Sequence, residues 1–175
     1  MIVLNGASSS GKTSIARALQ EVLLPEAWLT FGVDSLIEAM PPSLGDEGEG
    51  LDLHSDGSIA VGAGFQRLQD VWLEGLAAMV RAGARIVFDE VFLGGAESQA
   101  RRRAVFAGID VLWVGVHCSP TEAARRELAR GDRVVGQAAQ QAAIVHVGVA
   151  YDLEVDTTET DARTCAEVIA AHRSG

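Results

Sequence analysis

The stretch Gly6-Ala7-Ser8-Ser9-Ser10-Gly11-Lys12-Thr13, preceded by the apolar run Ile2-Val3-Leu4, decides how the rest of the chain is read. It matches G-x-x-x-x-G-K-[ST], a pattern in which a strand delivers a loop and a helix leaves it. Glycines let consecutive backbone N–H groups turn inward around an anion, a lysine spans outer phosphates, and a hydroxyl ligates Mg²⁺. Gly6, Gly11, Lys12 and Thr13 fill those roles, and Ala7, Ser8, Ser9, Ser10 and Ser14 complete the nucleotide-binding stretch. The plainer alternative is a serine-rich turn capping a helix. Against it, Lys12 is the only lysine in the chain, the remaining Lys/Arg positions all being arginine. ATP with Mg²⁺ is therefore the expected ligand.

Working outward, 175 residues fit one domain, residues 1–175, with enough chain to bury a sizeable core. A hydrophobic content of 48% against 22% charged residues places it among globular chains. The net charge of −10 disfavours a nucleic-acid or anionic-membrane partner, both of which are held by basic surface. A small-molecule partner fits better, and a homo-oligomer is left open. Cys118 and Cys165 match no metal or redox spacing, so reduced thiols and a cytoplasmic location are the default. No signal peptide or membrane-spanning stretch is recognisable.

Along the chain, Ile15, Leu19, Val22 and Leu23 recur at helical spacing, so a helix N-terminus points its partial positive charge at the loop. Trp28 to Val33 reads as a second strand ending on Asp34, and Ser35 to Met40 as a short helix opened by a Ser35/Glu38 capping box. Between Pro41 and Gly64, Leu51 and Leu53 alternate on one side of Ser55-Asp56-Gly57, with Ile59 and Val61 on the other. That is a hairpin pattern on an Asp-Gly turn, serving either as a mobile flap or as an exposed insertion. A helix with Phe65, Leu68, Trp72, Leu76, Met79 and Val80 on one face stops at Gly83. Arg85 to Phe88 is a buried-type strand ending on Asp89-Glu90, and Gly94 to Ala107 a helix whose Arg101-Arg102-Arg103 run reads as a solvated face. Strand Val111–Val116, a helix opened by Ser119-Pro120-Thr121-Glu122, a helix over Val134–Val147, strand Tyr151–Asp156 and a helix from about Asp161 complete the chain. Strands alternating with helices imply an α/β fold, a three-layer domain around a five-stranded parallel sheet.

Ligands in such sheets bind at the carboxyl ends of the strands. Asp34 and Asp89-Glu90 stand there beside the phosphate loop, and transfer of a phosphoryl group to an alcohol needs a carboxylate to accept the hydroxyl proton. Asp34 is the candidate base, its alternative role being a helix N-cap. Asp89 is the candidate metal partner of Thr13, with substrate binding as the alternative, and Val33, Glu90 and Phe92 are further candidates for acceptor contact. Asp89 and Glu90 should face opposite sides by the period-two rule. Arg130 and Arg133 flank Gly131 at a helix end, where a mobile lid could bring guanidinium groups onto a transferring phosphoryl group; ordinary surface pairing with Glu122 and Glu127 is the alternative. The four histidines show no metal-ligand spacing, and G-x-S-x-G is absent.

Several blocks carry a resemblance. Ile2 to Lys12, Phe31-Gly32-Val33-Asp34-Ser35-Leu36-Ile37-Glu38-Ala39-Met40, Asp89-Glu90-Val91-Phe92-Leu93-Gly94-Gly95, Val111 to Val116, Ala129-Arg130-Gly131-Asp132-Arg133 and Val155-Asp156-Thr157-Thr158 resemble the chloramphenicol 3-O-phosphotransferase family over essentially the whole chain. The resemblance implies a P-loop kinase domain and ATP-dependent phosphorylation that inactivates an antibiotic, giving resistance. It places the general base on Asp34, a lid on Arg130 to Arg133, and the turn bearing Thr157 near the adenine, beside the catalytic roles read above for Lys12 in the loop and Arg133 next to Gly131. Residues 43–64, which would shape the acceptor pocket, match the family least, and Asp89-Glu90 stands where two aspartates are expected. A kinase of another hydroxylated antibiotic, nucleoside or sugar would read the same way, and a nucleotide-binding regulatory module is the reading from a different class.

Overall fold

Strand β1 (Ile2–Asn5) is buried along its whole length, which is what a strand covered on both faces requires. A computed structural model of the protein describes residues 1–41, 50–54, 59–130 and 136–174. Around β1 lie β2 (Trp28–Gly32), β5 (Arg85–Glu90), β6 (Leu112–His117) and β7 (Leu153–Asp156), all parallel, in the order β2-β5-β1-β6-β7. The five-stranded parallel sheet read from the sequence is thus present. Strands β3 (Leu51–Leu53) and β4 (Ile59–Val61) pair antiparallel as a separate hairpin, with Leu51 opposite Val61 and Leu53 opposite Ile59. The hairpin agrees with the alternation on either side of Asp56-Gly57, while the turn itself lies outside the described residues.

Alternation along the strands divides the core. Ile2 and Leu4 face one side, with Ile15 and Leu19 of α1 (Lys12–Val22) and Cys165 and Ile169 of α7 (Ala162–Ser174). Val3 faces the other, where it meets Leu73, Leu76 and Ala77 of α3 (Ala63–Arg81) together with Phe88, Phe106 and Trp113. Helices therefore cover both faces, making three layers. On α3 the expected stripe is rotated: Leu73 and Ala77 are buried, whereas Leu68 and Met79 are 40% and 36% exposed. Trp72 packs edge-on against Phe31, with ring centroids 5.7 Å apart.

The remaining helices are α2 (Val33–Ala39), α4 (Ala96–Val105), α5 (Pro120–Arg130) and α6 (Gln137–Ile144). Helix α2 begins two residues before the expected Ser35. Gly32 is its N-cap, and Ser35 Oγ reaches back to accept the Gly32 N–H at 3.3 Å. Ser119 Oγ accepts the Glu122 N–H at 3.3 Å, as expected of the cap of α5. Helix α6 is shorter than the expected Val134–Val147.

Candidate active site

The loop leaves the carboxyl end of β1, flanked by β5 and β6. A Cβ on Gly6 would lie 2.4 Å from the Val116 carbonyl oxygen, so close approach to β6 demands glycine there. Gly11, at φ +92°, adopts the left-handed backbone that lets the chain turn into α1, and Ser9 also has positive φ, at 59°. The Ser9 and Ser10 hydroxyls are buried and find no partner among the described residues. The buried Lys12 donates Nζ–H to the Ala7 carbonyl at 2.7 Å, which holds the ammonium over the loop, 3.8 Å from Asp89 Oδ1. Thr13 Oγ1 donates to Asp89 Oδ2 at 2.7 Å. The hydroxyl and carboxylate oxygens proposed for Mg²⁺ thus meet, as the hard-cation preference for oxygen requires.

Asp34 lies within the first turn of α2 and does not cap it, since Gly32 takes that position. Gly32 pairs with Asp89 across β2 and β5, which sets the two strand ends side by side. Asp34, Asp89, Val33 and Glu38 all line one cleft of about 690 Å³ together with Ser8, Ser9, Gly11, Lys12, Thr13 and Ser14. Apolar lining comes from Val33 and Ile37 of α2, Leu51, Ile59 and Val61 of the hairpin, and Phe65 of α3, with Glu38, Gln66 and Gln69 of the same helices among the polar lining.

Glu90 lines the same cleft but is engaged in an ion pair. It is 1% exposed, and Arg102 of α4 places both Nε and Nη2 at 2.7 Å from its Oε2. Burial raises the Glu90 carboxyl above its ordinary value, with Arg102 opposing the rise. Asp89 faces the loop while Glu90 serves this ion pair, in keeping with strand alternation. Phe92 is a correction: it is 0% exposed and packs in the core against Trp113, at 6.3 Å between centroids, so its side chain contributes no acceptor contact. Its backbone N–H is held by Asn5 Oδ1 at 2.8 Å, which turns the chain after β5 inward. Arg102 is likewise no solvated residue. At 6% exposure it lines the cleft and lies 5.6 Å over the Phe92 ring.

Thr157 stands beside the loop rather than in the cleft. Its buried hydroxyl donates to the Ser10 carbonyl at 2.7 Å, and Arg126 Nη2 donates to the Thr157 carbonyl at 2.6 Å. The strand end therefore braces the loop from outside. Asn5 is the counterpart on the inner side, donating Nδ2 to the Val145 carbonyl at 2.7 Å and the Tyr151 hydroxyl at 2.5 Å. Tyr151 in turn meets His146 Nδ1 at 2.7 Å, and His146 stacks on His117 at 4.1 Å. Burial and the neighbouring His117 lower His146 to about 4, while burial pushes Tyr151 up to about 12, so at neutral pH a protonated phenol faces a neutral imidazole.

Sequence reasoning missed the glutamines of α6. Gln141 Oε1 accepts the Ser8 N–H at 2.7 Å, and Gln137 lines the same cleft. Glu127 of α5, 3% exposed, accepts the Gly136 and Ala138 N–H groups at 2.8 Å each and so caps α6 from outside its own sequence. Only the helical i, i+4 spacing of Gln137 and Gln141 could have hinted at a shared face. The expected lid residue Arg133 lies outside the described residues, and Arg130 ends α5. Among the described residues no group of three His, Cys, Asp or Glu could hold a metal by itself, and no helix is long and apolar enough to cross a membrane.

Comparison with known proteins identifies the family and the fold. Residues 1–174 match the family model described as "Chloramphenicol phosphotransferase-like protein". A Mycobacterium tuberculosis H37Rv protein named "Putative O-phosphotransferase" is 35% identical over 175 residues, 91% of this chain and 76% of that protein. Among solved structures, shikimate kinase from Acinetobacter baumannii in complex with shikimate superposes with a TM-score of 0.64 at 22% identity, covering 97% of this chain and 89% of that one. The M. tuberculosis APS kinase CysC in complex with AMPPNP and APS gives 0.62 at 18% identity, covering 99% and 96%. The chain belongs to the chloramphenicol phosphotransferase-like family and has the fold of P-loop kinases.

Proposed function

We propose that this member of the chloramphenicol phosphotransferase-like family transfers the γ-phosphoryl group of ATP to a hydroxyl of chloramphenicol or a similar antibiotic, thereby inactivating it. The observation that carries the reading is that Asp34 and the Thr13–Asp89 pair open onto one cleft with the phosphate loop. Family membership and the O-phosphotransferase name of the relative support the same class of reaction.

In this reading the acceptor hydroxyl gives its proton to an Asp34 carboxylate oxygen as its oxygen bonds to the γ-phosphorus. The bond from that phosphorus to the bridging oxygen breaks, and ADP leaves with the electron pair. Lys12 holds positive charge where negative charge gathers, and the loop N–H groups orient the outer phosphates. Thr13 and Asp89 would hold Mg²⁺, which supplies charge neutralisation on the phosphates when bound. So few protein oxygens suit Mg²⁺, which keeps several waters and phosphate oxygens around it. Arg130 and Arg133 are proposed to reach the transferring group from the lid.

The apolar lining at Val33, Ile37, Ile59 and Val61 supports an acceptor with an apolar body next to its hydroxyl, and so favours the antibiotic over a sugar. The test is transfer of label from γ-labelled ATP with Mg²⁺ across a panel of chloramphenicol, other hydroxylated antibiotics, nucleosides and sugars. Label on chloramphenicol is the expected result. Label only on another member corrects the acceptor, and hydrolysis or binding without transfer to any member removes the kinase reading.

A further inference from the structure

The two ends of the Gln141 amide are told apart by the neighbour that one of them meets. Oε1 accepts the Ser8 N–H at 2.7 Å, and a backbone N–H only donates, so the oxygen rests on the loop and the nitrogen points elsewhere. The residue is 5% exposed and lines the same cleft as Asp34, Lys12 and Thr13. Its Nε2 carries two N–H groups and makes no hydrogen bond among the described residues, yet it does not share the fully enclosed state of the unpartnered Ser9 and Ser10 hydroxyls. One end of the amide therefore closes on the loop, and the other offers donors to the cleft at the loop's edge. Little freedom remains in where those donors point. Glu127 holds the Gly136 and Ala138 N–H groups at 2.8 Å each, and Asn5 holds the Val145 carbonyl at 2.7 Å, so α6 is fixed on both sides of Gln141.

Donors of this kind call for an acceptor. Nitrogen and oxygen of one amide share a carbon, so Nε2 stands against the same loop that Oε1 touches at Ser8. What gathers at that loop is phosphate. Of the phosphates, the one that must face Asp34 across the shared cleft is the one given up. We infer that Gln141 Nε2 donates a hydrogen bond to an oxygen of the terminal phosphate of the bound nucleoside triphosphate, while the bond from Ser8 to Oε1 keeps the donor aimed there. This assignment rests on the ATP reading of the loop and adds a contact to the group in transfer. Charge spreads over the equatorial oxygens of that group as it moves, so a donor fixed in advance bonds more strongly as the transition state forms.

The experiment compares wild type with Gln141→Glu, which keeps the length of the side chain and an oxygen for the Ser8 N–H but exchanges the donor for an acceptor. Binding of ADP and of the non-transferable analogue AMPPNP, each with Mg²⁺, is measured by calorimetry. AMPPNP affinity should fall about tenfold or more while ADP affinity stays within about threefold, and Tm without nucleotide should stay within a few degrees of wild type. A residue that only braced the loop would leave both affinities unchanged or weaken them together. With whichever panel member the wild type phosphorylates, kcat should fall about 10²–10³-fold, the loss expected for one donor to developing charge. In wild type with isotope-labelled glutamine, the Gln141 NH2 resonances should move with AMPPNP and move far less with ADP, which tests the assignment should the variant fail to fold. Equal loss of ADP and AMPPNP affinity, unchanged AMPPNP affinity, unchanged kcat, or Gln141 resonances that respond alike to both nucleotides each overturns the assignment and leaves the phosphotransferase reading standing. A wild type that binds neither nucleotide fails the ATP reading and takes this assignment with it. A wild type that binds both but labels no panel member fails the kinase reading alone, and the two binding measurements then decide Gln141.

Discussion

On the loop side of the cleft, hydrogen bonds join Lys12 to Ala7, Thr13 to Asp89, Ser8 to Gln141 and Ser10 to Thr157. Elsewhere in its lining, Val33, Ile37, Ile59 and Val61 meet the cleft as apolar surface, on a short helix and a three-by-three-residue hairpin. The first side is specified by backbone geometry and directional bonds and can serve any nucleoside triphosphate. The second is specified by side-chain shape, which tolerates volume-conserving exchange at small cost. The donor half should therefore fail abruptly when altered, and the acceptor half gradually.

Lys12→Ala should break that comparison most sharply, reducing transfer to background, a loss of about a thousandfold or more. Retained turnover would mean the loop is not the donor site. Asp34→Asn should lower kcat by roughly 10²–10⁴-fold while ATP KM stays near wild type, because only the proton acceptor is lost. Normal turnover by Asp34→Asn would take Asp34 out of the reaction. Arg102→Met leaves Glu90 buried without its counter-charge and should cost about 3–5 kcal/mol, read by denaturant unfolding. Its pH dependence has a definite sign. With burial unopposed, the folded carboxyl titrates further above the ordinary carboxylate range, so the folded state holds the proton more tightly than the unfolded chain. The stability deficit should be smallest at low pH, where the carboxyl is protonated in both states, and should grow as pH rises through the elevated folded value; a deficit that shrinks with pH contradicts the assigned pair. Smallest is Ile59→Ser on the hairpin, expected to raise acceptor KM about tenfold with ATP KM unaltered. A change in ATP KM instead would place nucleotide against the hairpin.

What could be read from the sequence follows the same division. The loop, the strand before it, the helix after it and the acid at the end of β5 carry local signals of period, glycine placement and motif spacing, and each lies where those signals put it. The hairpin was legible because its alternation is local too. Phe92 was misplaced because proximity in sequence to Asp89 says nothing of rotamer, and two residues beyond the strand the side chain turns into the core. Arg102 was misread because a run of three arginines looks solvated until its partner is known, and Glu90 is reached only when α4 packs on β5. Gln141 and Glu127 leave little local trace beyond the i, i+4 spacing of Gln137 and Gln141, since the groups they bond lie on other elements.

Asn5 connects these observations to how the chain folds. Its side chain bonds Phe92, Val145 and Tyr151, and Thr157 completes the outer brace on Ser10, so the supports of a loop encoded near the start of the sequence come from its middle and its end. Contacts of such long separation form only after extensive loop closure. During synthesis the full G-x-x-x-x-G-K-T segment emerges well before anything can hold it in shape. A chain ending before Val145 should therefore show no protection by ATP in limited proteolysis, which makes nucleotide binding a late checkpoint of folding.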